Sequence, residues 1–135
     1  MEKNFSAIKN DILGKNYSLS IAFVDEKKSK ELNKRYRNKN KATNILSFPL
    51  HKNMGEIILC SEVIKKEAKK FGKTFDQFLG FLVIHGMLHL DGMEHSSRME
   101  EREKFYDQKY FGGNRRGVVQ DASRGRRIYK RRKKS

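Results

Sequence analysis

The chain has no tryptophan, a single cysteine, a single proline and only 16 acidic residues against 31 basic ones. A lone cysteine cannot form an internal disulfide, which excludes the cross-linked scaffolds of small secreted proteins and fits a reducing compartment. Cys60 is expected to be a small buried residue on a strand. No uninterrupted apolar stretch approaches the roughly 18 residues that a membrane span needs. Met1-Glu2-Lys3-Asn4 leads into a mixed polar segment rather than the apolar run of a secretory signal. The expectation is a soluble cytoplasmic protein with no membrane partner. At 135 residues the chain is long enough for one domain to close a core without disulfides.

What is abundant is positive charge. The formal net charge is +15, and from Gly112 onward ten Lys/Arg stand against one acid, Asp121. The rest of the chain is basic as well. A polyanionic partner accounts for this better than solubility does, because basic side chains release counterions from nucleic acid and supply sequence-independent affinity. A merely solvated tail is the plain alternative. A membrane surface fits less well, since the tail has no amphipathic apolar face. The expected organisation is a domain over residues 1–112 and a basic, flexible tail over 113–135. Arg126, Arg127, Arg131 and Arg132 are its nucleic-acid-binding candidates.

Apolar spacing predicts a short helix from Phe5 to Leu13, then a strand over Leu19–Val24 that ends in a helix-capping Asp25. From Glu26 to about Arg37, Leu32 and Tyr36 form a narrow apolar seam on an otherwise charged helix. Thr43–Phe48 reads as a second strand closed by Pro49, and Glu56–Cys60 as a third, with a long hairpin loop between them. Ser61 is a candidate cap for a helix from Glu62 to about Phe71. Thr74 and Gln77 have capping-box spacing. Between Phe75 and Leu90, ten of sixteen residues are Phe, Leu, Val, Ile or Met, so this helix is apolar nearly all round and must run through the core. Ser97 and Glu100 suggest a second capping box, opening a last helix to about Tyr110.

The core helix also carries the chemistry. Four residues make about 400° of turn and about 6 Å of rise, so His85 and His89 stack on one face with imidazoles able to converge on one ion. His95 could not join them on an unbroken helix, but Gly92 can take the left-handed conformation that ends a helix and lets the chain fold back. An HxxxH pair arises by chance, and a histidine on an apolar face is usually a satisfied core residue. Here three of the four histidines fall within eleven residues, two of them in the most apolar helix, where unpaired imidazoles are costly to bury. The spacing therefore points to a three-histidine divalent-metal site with an open position.

Zinc peptidases place a glutamate directly after the first histidine, and here that position is Gly86, which speaks against peptide hydrolysis. Three neutral imidazoles leave a metal its full double charge, which suits an anionic substrate such as a phosphodiester. Phosphoryl transfer also needs a fixed cation. Arg37 is the best placed candidate, at the end of its helix, because a guanidinium clamps phosphate in a bidentate way. Charge runs such as 32–39 usually mean a solvated face, and only proximity to the metal would reverse that.

The chain resembles the YbeY family of bacterial metal-dependent endoribonucleases. The resemblance rests on Leu32-Asn33, Tyr36-Arg37, Lys39, Thr43 through Pro49, Gly55-Glu56-Ile57 and the stretch His85 to His95, in the family's order. It implies an α+β single domain, with a small mixed β-sheet packed by about five helices. The metal site would lie on a central buried helix, with zincin-like HxxxH geometry. One zinc ion on His85, His89 and His95 is implied, together with a functional Arg37; Arg37 and Lys39 are the nucleic-acid-binding candidates of the domain. The implied partners are single-stranded RNA, ribosomal RNA and the ribosome, and the implied role is maturation of the small-subunit ribosomal RNA 3′ end and ribosome quality control. A monomer is expected. The alternative is a non-catalytic, metal-stabilised RNA- or ribosome-binding assembly factor, with Glu94, Asp91 or His51 closing the metal site. Met93-Glu94 stands where the family has Tyr-Asp, Asn40 and Glu56 replace usual aspartates, and the N-terminus is short for the family.

Overall fold

Strand Met54–Cys60 is the most buried strand, with Ile57, Ile58, Leu59 and Cys60 all inside, because it lies between two others in the sheet. In this computed structural model the backbone is described over residues 2–112, with side chains from Phe5. The basic segment 113–135, with Arg126, Arg127, Arg131 and Arg132, lies outside the described residues. The described elements run in the order α1 (Glu2–Ile12), β1 (Ser18–Val24), α2 (Glu26–Arg37), β2 (Ile45–His51), β3 (Met54–Cys60), α3 (Ser61–Lys70), α4 (Phe75–Leu90) and α5 (Ser97–Phe111). The sheet order is β1-β3-β2 and the sheet is mixed: β1 is parallel to β3, with Ile21 opposite Ile57, and β2 is antiparallel to it.

α4 packs against β2 and β3 on one side and against α1, α3 and α5 on the others. Its residues Phe78, Leu79, Leu82, Val83, Ile84, Met87 and Leu88 are all buried and share a core with Ile8, Ile57, Ile64 and Met99. Each such side chain contributes roughly 1.5–3 kcal/mol by leaving water, which outweighs the modest helix propensity of its aromatic and β-branched members. The helix starts on the expected capping box, Thr74 accepting from the Gln77 N–H and Gln77 from the Thr74 N–H. Gly86 is where α4 meets the sheet. A Cβ there would lie 2.9 Å from Ile45 Cδ1 and from Ser47 Oγ, so any larger residue would make these side chains shift.

Several local expectations are corrected. Strand β2 continues through Pro49 to His51, so the hairpin turns on Lys52-Asn53 alone rather than on a long loop. Proline is tolerated because β2 is an edge strand and the register slips between Pro49 and His51, a bulge that admits one extra residue. Cys60, not Ser61, precedes α3 and gives no side-chain cap; Ser96, not Ser97, caps α5 by accepting from Met99 N. The seam assigned to α2 is also displaced. Ser29 and Asn33 are its buried residues, while Tyr36 is 58% exposed.

Candidate metal centre and cleft

The last two turns of α4 carry His85 and His89, and the helix is ended by Gly92. With φ of +94°, Gly92 adopts the left-handed conformation that closes helices. The Gly92 N–H donates to His89 O and the Met93 N–H to Leu88 O, the paired bonds of a Schellman motif. The turn brings His95 back over the helix end, its ring centroid 4.6 Å from that of His89 and 5.2 Å from that of His85. Each of the three residues offers a nitrogen within 4.8 Å of the other two.

Hydrogen bonds decide which nitrogens face inward. His85 Nδ1 contacts the Glu103 carboxylate, and His89 Nδ1 lies 3.0 Å from the Met93 carbonyl oxygen. Both partners are acceptors, so each Nδ1 carries the proton and each Nε2 presents a lone pair. Those two Nε2 atoms lie 3.2 Å apart. Two lone pairs at that distance repel unless a proton or a metal cation lies between them. Nitrogens each about 2.0–2.1 Å from a shared tetrahedral ion sit roughly 3.3–3.4 Å apart. The donor set thus fits a divalent metal of the zinc type. Burial, then the neighbouring His85, holds the His89 imidazole below its ordinary pKa, and the charge of Arg37 adds to this, so the lone pair stays available.

Glu103 was not anticipated. It is 1% exposed on α5, between Met99 and Tyr106 on the same buried stripe. A carboxylate at i+4 from one core residue and i−3 from another is the signal that could have found it, since a buried carboxylate requires a partner. Orienting a ligand imidazole is a recurrent use of such a group. The suggested fourth ligands Glu94, Asp91 and His51 are not among the residues that gather here.

The three imidazoles open onto a cleft of about 790 Å³ that is also lined by Tyr36, Arg37, Lys39, Lys41, Ser47 and Phe48. Its far wall is set by the polar face of α2. Ser29 Oγ donates to Thr43 O and accepts from Thr43 N, and Asn33 Nδ2 donates to Lys41 O. Asn38, with φ of +58°, ends α2 in the left-handed region. These bonds fold the 38–43 segment against the helix, and so Arg37 and Lys39 face the same cleft as the histidines. Both residues line the cleft, Arg37 exposed and Lys39 half-buried.

Comparison with known proteins agrees with this geometry. The family model described as "Endoribonuclease YbeY" matches residues 1–111. The chain is 38% identical to the protein of that name from Staphylococcus carnosus, over 67% of each chain. It is 37% identical to the one from Staphylococcus saprophyticus, over 64% of this chain and 65% of that protein. The chain thus spans about two thirds of the length of these relatives. The solution structure of TM1509 from Thermotoga maritima is similar, with a TM-score of 0.63 and 32% identity, over 84% of this chain and 83% of that one.

Proposed function

Since the chain belongs to the YbeY family of endoribonucleases, we propose that it hydrolyses phosphodiester bonds of single-stranded RNA, using one zinc ion held by His85, His89 and His95. The biological setting proposed is maturation of the small-subunit ribosomal RNA 3′ end and ribosome quality control, with the ribosome as partner and the cytoplasm as location; the protein acts as a monomer. The observation that carries this reading is the pair of Nε2 atoms 3.2 Å apart beside a cleft lined by Arg37 and Lys39.

An ion on these nitrogens supplies Lewis acidity and a water acidified toward a pKa of about 7. The residues do the rest. Glu103 and the Met93 carbonyl hold the His85 and His89 rings in the tautomer that presents Nε2. Neutral imidazoles leave the site cationic, so a phosphate is drawn in rather than repelled. Arg37 binds the phosphate and neutralises the charge that develops on its oxygens, and Lys39 holds a neighbouring part of the strand. Gly86 leaves no carboxylate where a peptidase has its base. The non-catalytic alternative needs a fourth protein ligand, and the gathered set among the described residues has three.

The test is cleavage of single-stranded ribosomal RNA by the purified full chain. Activity should appear with zinc, vanish with chelator, and be lost in His89→Ala while RNA binding persists. Metal-loaded protein that leaves the RNA intact would overturn the assignment.

A further inference from the structure

The cleft has a feature that metal hydrolysis does not use. Tyr36, in the last turn of α2, is 58% exposed although it lines the cleft beside Arg37. Its ring meets that of Phe48, from β2, edge to face, with centroids 5.1 Å apart and planes at 67°. We propose that Tyr36 and Phe48 form a stacking platform for one unpaired nucleobase of the RNA, resting on the nuclease reading for the identity of the ligand.

Three observations carry this. Edge-to-face packing leaves ring face uncovered, and an aromatic face open to a cleft is what a planar base stacks on. The two rings come from elements that are themselves held. α2 is tied to the 41–43 segment through Ser29 and Asn33, and β2 is hydrogen-bonded along β3 with Phe48 opposite Glu56. Ordering such a pair on binding therefore costs little. Finally, the wall that bears the rings also bears Arg37, Lys39 and Lys41. Cations interleaved with exposed aromatics give a strand two kinds of purchase, on its phosphates and on its bases. A paired base is already stacked within its duplex and cannot be splayed onto the rings, so the platform also gives the site a reason to prefer single strands.

Binding of short oligoribonucleotides to the full-length chain, followed by fluorescence anisotropy in chelator so that the RNA stays intact, tests the platform. Tyr36→Ala should weaken binding about fivefold to hundredfold, the range set by loss of one stacked base, while Tyr36→Phe stays within about twofold. Moving a single abasic nucleotide along the RNA should find one position whose loss costs wild type as much as Tyr36→Ala does. The variant should be indifferent to that position, as expected when both changes remove the same contact. The abasic series on wild type needs no variant, so it stands even if a substitution disturbs folding. If wild type cleaves RNA in zinc, yet tolerates every abasic position and binds as Tyr36→Ala does, the platform is overturned and the nuclease reading survives. If wild type shows the abasic-sensitive position but does not cleave in zinc, the platform stands and the nuclease reading falls. Failure of wild type to bind RNA, or dependence on phosphates alone, overturns the platform.

Discussion

His85 and His89 differ in what holds them, one by a buried carboxylate and the other by a backbone carbonyl, and only the first can be altered by a side-chain substitution. Glu103→Gln keeps the volume but removes the charge that makes the His85 nitrogen a better donor. The zinc dissociation constant of that variant should rise about 10- to 100-fold in competition with a chromophoric chelator. Unchanged affinity would mean that Glu103 serves packing only. At this scale the ligand set was readable because i, i+4 spacing on a helix is rigid, whereas Glu103 was not, because it lies eight residues beyond His95 on another helix. The same holds for Tyr36. A seam read from Leu32 and Tyr36 assumes that apolar residues turn inward, but here Ser29 and Asn33 face the loop that α2 must pin, and Tyr36 is turned to the cleft.

Among the elements, the end of α4 is the one whose geometry the site depends on. Gly92→Ala forces a Cβ into a left-handed conformation, with a cost of about 1–2 kcal/mol. Urea denaturation of metal-free protein should show that loss, and the variant should bind zinc more weakly because the Met93 carbonyl and His95 follow the same turn. α1 and α5 share the core through Phe5, Ile8, Met99 and Tyr106, and a polar tie is added at the surface. Lys109 and Tyr110 each place a polar atom 2.6 Å from Asp11 Oδ2, and these hydrogen bonds, the Lys109 one foremost, hold the Asp11 carboxyl below its usual range. A carboxylate whose folded pKa is lowered stabilises the fold above its unfolded pKa, and the unfolded chain takes up the proton first as the medium is acidified. The stability difference between wild type and Asp11→Asn, measured by denaturant titration, should therefore be present at pH 7 and shrink as the pH falls below about 3.8. A difference that persists at low pH would show that charge is not what Asp11 contributes. The capping box at Thr74 was legible since it depends on local backbone donors; the length of β2 was not, because Pro49 ends a strand only where a neighbour needs its missing N–H, and an edge has no such neighbour.

For the molecule as a whole, metal and charge set the behaviour. On the proposed assignment zinc is held by the folded site and not by the dispersed ligands of the unfolded chain, so zinc at a hundred times its dissociation constant should add about 2.7 kcal/mol. The rise in Tm should disappear in His95→Ala. The proposed RNA contacts include the basic residues of the cleft and four of the arginines of the sequence beyond residue 112. Replacing Arg126, Arg127, Arg131 and Arg132 by glutamine should flatten the salt dependence of RNA binding by up to about three logarithmic units per tenfold change in salt. An unaltered slope would remove the tail from the binding surface. No helix among the described residues is long and apolar enough to cross a membrane.

The sequence by itself determined what depends on short range: the helix caps at Asp25 and Thr74, the all-apolar α4, the two histidines one turn apart, the glycine that lets a third return, and the excess of positive charge. Each follows from the stereochemistry of a few adjacent residues or from composition. The tertiary structure alone decided that Arg37 and Lys39 share a cleft with those histidines, that Glu103 steers His85, and that Tyr36 meets Phe48. These groups lie on elements far apart in the chain, and only the packing of α2, β2 and α5 around one buried helix brings them within reach of one another.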